Sequence, residues 1–378
     1  MSDDNLPEQG LEAPSTRRVF LARASVLSLA IPGVGAALAA CAPGPEKVAD
    51  TATAAGAPAS PVPAAVMPGQ HNSDSRLDSS LLKGPHPRTS ITGPGAPGVT
   101  VYQRFDPALP PLTPANLKIH WHTKQLPIRV SEDTVVSGWT FEGNTPGPII
   151  HCKVGDTVDF TLTNDVDIPH SMDLHAAQID PKASFKSVPK GETVSFTFKP
   201  KWAGAFMYHC GTSPVLMHIG SGMFGAIIVS PRDPLPPAKE FVLVQSEFYL
   251  ADAVSGVRAF DYQKMLSTFP DYVIFNGRPN QYIKDPIKVK VGDRVRFWVV
   301  NAGPTHPCNF HIVGEQFDTV YLGAPPGSAI HGVQTWDVAP GGGMCFELTC
   351  DVAGEFPFVN HGFGHGQKGG IGILVVEP

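Results

Sequence analysis

Residues 153 to 164 read KVGDTVDFTLTN, and residues 290 to 301 read KVGDRVRFWVVN. Each carries Val-Gly-Asp near one end and Asn at the other, 137 positions apart, so one structural unit is written twice. Two more landmarks keep the same order. WTFEGNTPGP (139–148) pairs with VIFNGRPNQ (273–281), each an apolar run entering a Gly turn, and AGAFMYHC (203–210) pairs with AGEFPFVN (353–360). The offsets, 134, 137 and 150 residues, predict homologous domains over 99–232 and 237–378 with an insertion in the second. The stretch SPRDPLPPAKE (230–240) joins them.

The units read as strands. Short Val/Ile/Phe/Thr runs alternate with turn residues, and 39 Pro and 38 Gly leave little room for long helices. The predicted fold is all-β, two tandem Greek-key sandwiches. A chain of 378 residues with 42% hydrophobic composition fills two such cores even after long tails are set aside. A formal net charge of -6 and the lack of any Lys/Arg block argue against nucleic acid as a partner.

The N-terminus reads as an address rather than as structure. Arg17 and Arg18 precede an apolar run of small residues that ends in LAAC at Leu38 to Cys41. The first feature resembles a twin-arginine export signal and the second a lipobox, which would leave a lipid on Cys41 after cleavage. The alternative is an uncleaved anchor helix, which Pro32, Gly33 and Gly35 disfavour. Residues 1–41 are therefore expected to export the rest to the periplasm or the outer face of the cytoplasmic membrane. Residues 42–98, rich in Ala, Pro and Gly, are expected to be a disordered tether.

The stretch MYHCGTSPVLMHIGSGMFG (207–225) carries the chemistry. Cys210, His218 and Met223, with His170 upstream, supply a thiolate, two imidazoles and a weak thioether, the ligand set of a blue-copper electron-transfer site. Zinc would favour a second Cys or a third His and leave Met out. His209 directly precedes Cys210 on a strand, so the two side chains point to opposite faces. His175, in HSMDLH, lies where it can join His209 at a second metal outside the sandwich. Two imidazoles fall short of the usual three protein ligands of a catalytic metal, so a third comes from elsewhere. The repeat offers one. Asn360 takes the place of Cys210 in the second unit, which therefore lacks a thiolate, and His361 follows it; His306 and His311 repeat the spacing of His170 and His175.

The ordered motifs HSMDLHAA, MYHC, MHIGSGMFGAIIV, DYVIFNG, FHIVGE and FVNH run across both units. On them the chain resembles the copper-containing nitrite reductases, trimeric two-cupredoxin enzymes that reduce nitrite to nitric oxide. That resemblance implies a type 1 copper on His170, Cys210, His218 and Met223. It implies a type 2 copper on His175 and His209 with His361 of a neighbouring subunit. Asp173 and His311 match the family's proton-handling pair, and Val313 matches the aliphatic residue that crowds the open coordination position. Nitrite, a small redox donor such as a cupredoxin or cytochrome c, and a homotrimer are the implied partners. Membrane contact is expected only through the N-terminal anchor. Two departures stand out. The family commonly continues LHAA into a Gly-rich loop, whereas here it reads QIDPKASFKSVPKGE (178–192), and Val stands at 313 where Ile is commoner.

The chemistry agrees independently of the family. One electron and two protons convert nitrite to nitric oxide and water, which requires an electron input, an open metal position and two proton-capable groups. Two rivals remain: an oxygen-reducing two-domain multicopper oxidase, and a non-catalytic copper electron carrier. His120 and His122 imitate the paired histidines of the first, but they precede the Val-Gly-Asp strand and read as a solvated strand. The second has no use for Asp173, His311 and His361. Cys152, Cys308, Cys345 and Cys350 allow three disulfide pairings; Cys345 and Cys350 are poor partners because an odd spacing on one strand turns them apart. His151, His331 and His365 receive no role, although His365 lies close behind His361.

Overall fold

The computed structural model describes residues 101–378 apart from residue 114. The expected signal with Arg17, Arg18 and Cys41, and the expected tether, lie outside the described residues. The first half comprises β1 (Asn116–Arg129), β2 (Val135–Phe141), β3 (Ile150–Lys153), β4 (Thr157–Thr163), β5 (Asp173–Leu174), α1 (Pro181–Ser184), β6 (Thr193–Phe198), β7 (Gly204–His209), α2 (Val215–Gly220) and β8 (Phe224–Ser230). The second begins with β9 (Lys239–Phe248), β10 (Leu250–Val254), β11 (Val257–Phe260), α3 (Tyr262–Ser267), β12 (Tyr272–Phe275), α4 (Gln281–Lys284), β13 (Ile287–Lys290) and β14 (Arg294–Gly303). It continues with β15 (Cys308–Ile312), β16 (Phe317–Tyr321), β17 (Ala329–Val333), β18 (Thr335–Val338), β19 (Gly343–Thr349), β20 (Gly354–Asn360), α5 (Phe363–Gln367) and β21 (Ile371–Glu377).

These strands form four sheets and two sandwiches. The first sandwich sets β10-β11-β2-β1-β4-β6 over β3-β8-β7-β5, and the second sets β12-β9-β14-β19-β16-β17 over β13-β21-β20-β15-β18. The duplication is visible in the pairing: β1 runs parallel to β4 as β9 does to β14, and β3 runs parallel to β8 as β13 does to β21. One element crosses over. The hairpin β10–β11 follows β9 in the chain yet extends the first sandwich's sheet through Arg258 opposite Val136.

Val-Gly-Asp recurs because it builds the same turn twice. Asp156 Oδ2 accepts from the Lys153 N–H at 2.8 Å, and Asp293 Oδ2 from the Lys290 N–H at 2.9 Å. Gly155 and Gly292 hold φ of +88° and +85°, a region costly for any side chain with a Cβ. The Asn that closes each motif props up a loop. Asn164 donates to the carbonyls of Ile168 and Val188, and Asn301 to those of His306 and Val338, so each buried amide shapes the segment that carries a histidine.

Each sandwich has its own core. Trp121, Phe141, Phe160, Leu162, Tyr208 and Ile227 fill the first; Phe275, Phe297, Phe310, Phe346, Phe358 and Leu374 fill the second. A third apolar cluster lies between them, where Met207, Phe224 and Ile228 of β7 and β8 meet Val244, Trp298, Val300 and Cys345 of β9, β14 and β19. Burial of large apolar side chains contributes about 1.5–3 kcal/mol each, so this shared face fixes the two sandwiches against each other. No helix among the described residues is long and apolar enough to cross a membrane.

Candidate metal centres

The first centre lies inside the first sandwich. His170 follows the loop held by Asn164, and its N–H and C=O both pair with Val188. Cys210 directly follows β7, where its N–H donates to the Met223 carbonyl at 3.1 Å, and the Met223 N–H donates to the carbonyl of His218 in α2 at 3.2 Å. All four side chains are at most 2% exposed. Cys210 Sγ lies 3.2 Å from His218 Nδ1 and 3.7 Å from His170 Nδ1, and the two Nδ1 atoms are 3.1 Å apart. Metal bonds of about 2.0–2.1 Å to imidazole and about 2.3 Å to thiolate put the donors of one shared ion roughly 3–4 Å apart. The donor set therefore fits a copper ion without rearrangement.

Protonation suits the same purpose. Burial holds the His170 imidazole down at about 3, with His218 adding to the effect, and burial holds His218 at about 4, so both are neutral ligands. Burial raises the Cys210 thiol, opposed by hydrogen bonds from Ser171 and Thr212, so a bound cation is what converts it to thiolate.

Three neighbours of this centre escaped the sequence reading. Trp139 sets its ring 5.0 Å from that of His218 and 5.9 Å from that of His170. Ser171 donates its N–H to Cys210 Sγ at 3.4 Å while its hydroxyl accepts from the Gly211 N–H and from Thr212, which in turn meets Ser187 of the departing loop. Phe185 of that loop covers Gly211, where an added Cβ would sit 2.2 Å from its ring. The loop thus packs directly on the first centre.

The second centre lies on the other side of β7. Asp173 and His209 are opposite each other in the β5–β7 pair, and His175 follows β5. His175 Nδ1–H donates to the Gly341 carbonyl at 3.0 Å, and His209 Nδ1–H to the Cys210 carbonyl at 2.9 Å. Carbonyls only accept, so both rings carry their proton on Nδ1 and turn bare Nε2 lone pairs toward one another, 3.1 Å apart. Two lone pairs facing at that distance call for a cation between them, and each ring is aligned by its carbonyl as metal-ligating histidines are. Asp173 Oδ2 lies 3.5 Å from His209 Nε2 and 3.8 Å from His175 Nε2. Burial lowers the His209 imidazole, with His175 adding to the shift and Asp173 opposing it. Gly341, contributed by the second sandwich, had no signal in the sequence.

The remaining predicted residues gather elsewhere. Among the described residues the second cluster consists of Asp173, His175 and His209, without His311 or His361. Those two stand together on the second sandwich, ring centroids 5.2 Å apart, with His361 following β20 and His311 on β15. His311 Nδ1–H donates to the Gln334 carbonyl at 2.6 Å. Phe363 and Val313 lie exposed in the same half. His120 and His122 share one side of β1 and engage Thr163 and Asp165, apart from both centres. The cysteines at 152, 210, 308, 345 and 350 are all free and buried. Burial pushes Cys152 and Cys350 up to about 12 and Cys308 and Cys345 higher still, so these four remain protonated thiols.

Tandem sandwiches with a buried Cys-His-His-Met set define a copper protein of the multicopper oxidase class, and residues 122–234 match the family model described as multicopper oxidase. The chain belongs, within that class, to the copper-containing nitrite reductases. It is 36% identical over 285 residues to the copper-containing nitrite reductase of Neisseria meningitidis, covering 72% of this chain and 73% of that protein. The enzyme of Cereibacter sphaeroides is 29% identical over 276 residues, covering 66% and 73%. Among solved structures, the copper nitrite reductase of Nitrosomonas europaea superposes with a TM-score of 0.64 at 33% identity, over 69% of this chain and 94% of that one.

Proposed function

We propose that this protein reduces nitrite to nitric oxide and water, taking one electron and two protons per turnover. The observation that carries the reading is the adjacency of His209 and Cys210: one peptide joins the inner donor set to the outer one. Copper bound at the inner set would relay single electrons, and copper bound at the outer set would hold nitrite by its oxygens as a Lewis acid.

The chain's own residues supply the rest. Asp173, beside both outer imidazoles, hydrogen-bonds a bound oxyanion when protonated and delivers that proton to the departing oxygen. His311 is the second proton carrier, its ring oriented by the Gln334 carbonyl. Val313 narrows the space in which nitrite turns. His361 completes the outer donor set from a neighbouring copy, an arrangement supported by its separation from His175 and His209 within one chain. A closed ring of three copies satisfies every such site with one kind of contact. The export motif at Arg17 and Arg18 and the LAAC at Leu38 to Cys41 support placement outside the cytoplasm, where a small cupredoxin or cytochrome c would donate electrons.

The test is anaerobic. Copper-loaded, pre-reduced protein is given nitrite while an electrode follows nitric oxide, with oxygen consumption measured in a parallel vessel. Many turnovers of nitric oxide per copper support the reading, and oxygen consumption without nitric oxide overturns it. His361→Ala should abolish turnover and keep the blue chromophore; unchanged turnover would remove His361 from the outer site.

A further inference from the structure

The second sandwich lost its thiolate but kept more of the first centre than the sequence suggests. His306 stands in the repeat where His170 stands, on the loop shaped by Asn301 as the other is shaped by Asn164. His365 lies in α5, the short helix between β20 and β21, as His218 lies in α2 between β7 and β8. Asn360 ends β20 where Cys210 follows β7. The two imidazoles have stayed together, with ring centroids 4.5 Å apart.

Their free nitrogens match those of the first centre. His306 donates Nε2–H to the Thr268 carbonyl at 2.8 Å, which leaves Nδ1 as its lone-pair atom. His365 Nδ1 is buried and has no hydrogen-bond partner, one of four such side-chain atoms among the described residues. Nδ1 is also the atom that both His170 and His218 turn toward Cys210. A Cβ placed on Gly362 would lie 3.2 Å from His365 Nδ1 and 3.2 Å from Asn360 Oδ1, so an amide oxygen borders the same space. That oxygen accepts from the Gly362 N–H at 3.0 Å and retains a second lone pair. The nearby ammonium of Lys368 is engaged by the Pro270 carbonyl at 2.6 Å. Buried polar nitrogens without a partner are rare in native proteins and ask for a bound ion or water.

We propose that His306 and His365, with Asn360 at its edge, form a third metal site that takes a divalent ion of borderline softness such as Zn(II). Two imidazoles, an amide oxygen and water suit such an ion, and without a thiolate the site is colourless with zinc and not blue with copper. Burial and the facing His306 ring lower the His365 imidazole, which keeps it neutral and able to ligate. A bound ion would tie the loop before β15 to α5, four residues beyond His361. The inference does not depend on the nitrite reading.

Full-length, copper-loaded protein is dialysed against Zn(II) alone, and zinc and copper are counted per chain. One zinc beyond the copper complement is expected, with copper content and the blue band unchanged. His306→Gln and His365→Gln should each weaken that uptake by at least about tenfold, and His120→Gln/His122→Gln should leave it intact. The proposal is overturned if no additional zinc binds, if uptake survives both His306→Gln and His365→Gln, or if zinc enters only as copper leaves. Zinc-edge X-ray absorption on the unaltered protein needs no variant to fold: two imidazole nitrogens are expected, and a shell of oxygens alone rules the site out.

Discussion

Asp173 is a half-buried carboxylate within 4 Å of two imidazoles whose lone pairs face each other, and position alone separates it from an ordinary surface acid. Asp173→Asn removes the proton and keeps the shape. Nitric oxide formation should fall by about 10²–10⁴-fold with the blue band unchanged, as steady-state rates measured beside a visible spectrum would show. His170 carries a different prediction. An imidazole held at about 3 in the folded chain and near its ordinary 6.5 in the unfolded one gains its proton on unfolding. The metal-free protein should therefore be fully stable above about pH 6.5 and lose stability as pH falls toward 3. Melting temperatures of metal-free protein at pH 7 and pH 4.5 test this, and His170→Gln should reduce the dependence, with His218, held at about 4, supplying the remainder. The inner donors His170, Cys210 and His218 and the outer pair His175 and His209 were legible in the sequence because their residue types and spacing already bring a thiolate and imidazoles together. Trp139, Ser171, Phe185 and Gly341 were not, because their roles come from contacts made by segments 26 to 166 positions away, or from a backbone atom that any residue possesses.

At the scale of elements, the repeat is legible down to its hydrogen bonds, since Val-Gly-Asp and the closing Asn are needed for the same turn and the same loop in both halves. That symmetry separates stability from chemistry. Asn164→Ala and Asn301→Ala should each cost about 3 kcal/mol, from buried carbonyls left without donors. Asn164→Ala should also shift the blue absorption, because the loop it releases carries His170. Asn301→Ala should leave the absorption where it is; denaturant melts and spectra of the two variants make the comparison. The hairpin β10–β11 marks the limit of such reading. Nothing in its composition says that it joins the sheet of the other sandwich, for its partner Val136 lies more than a hundred positions back and the pairing rests on backbone groups. The short helices α1, α2 and α5 were equally hidden, being too brief to show a helical period.

For the whole molecule, the apolar cluster between the sandwiches decides how the chain unfolds. Met207, Phe224 and Ile228 have no cover without Val244, Trp298 and Val300, and Arg278, buried in the second half, donates to the Thr145 carbonyl and Asn144 Oδ1 of the first. The described region should melt in one calorimetric transition, and Trp298→Ala, at about 3–5 kcal/mol, should lower that transition as a unit instead of splitting off the second sandwich. The same face limits what recombination can do with this chain. Either half moved alone into another gene would expose an oily wall, so the duplicated unit is no longer a portable module. Its two copies can diverge only in each other's company.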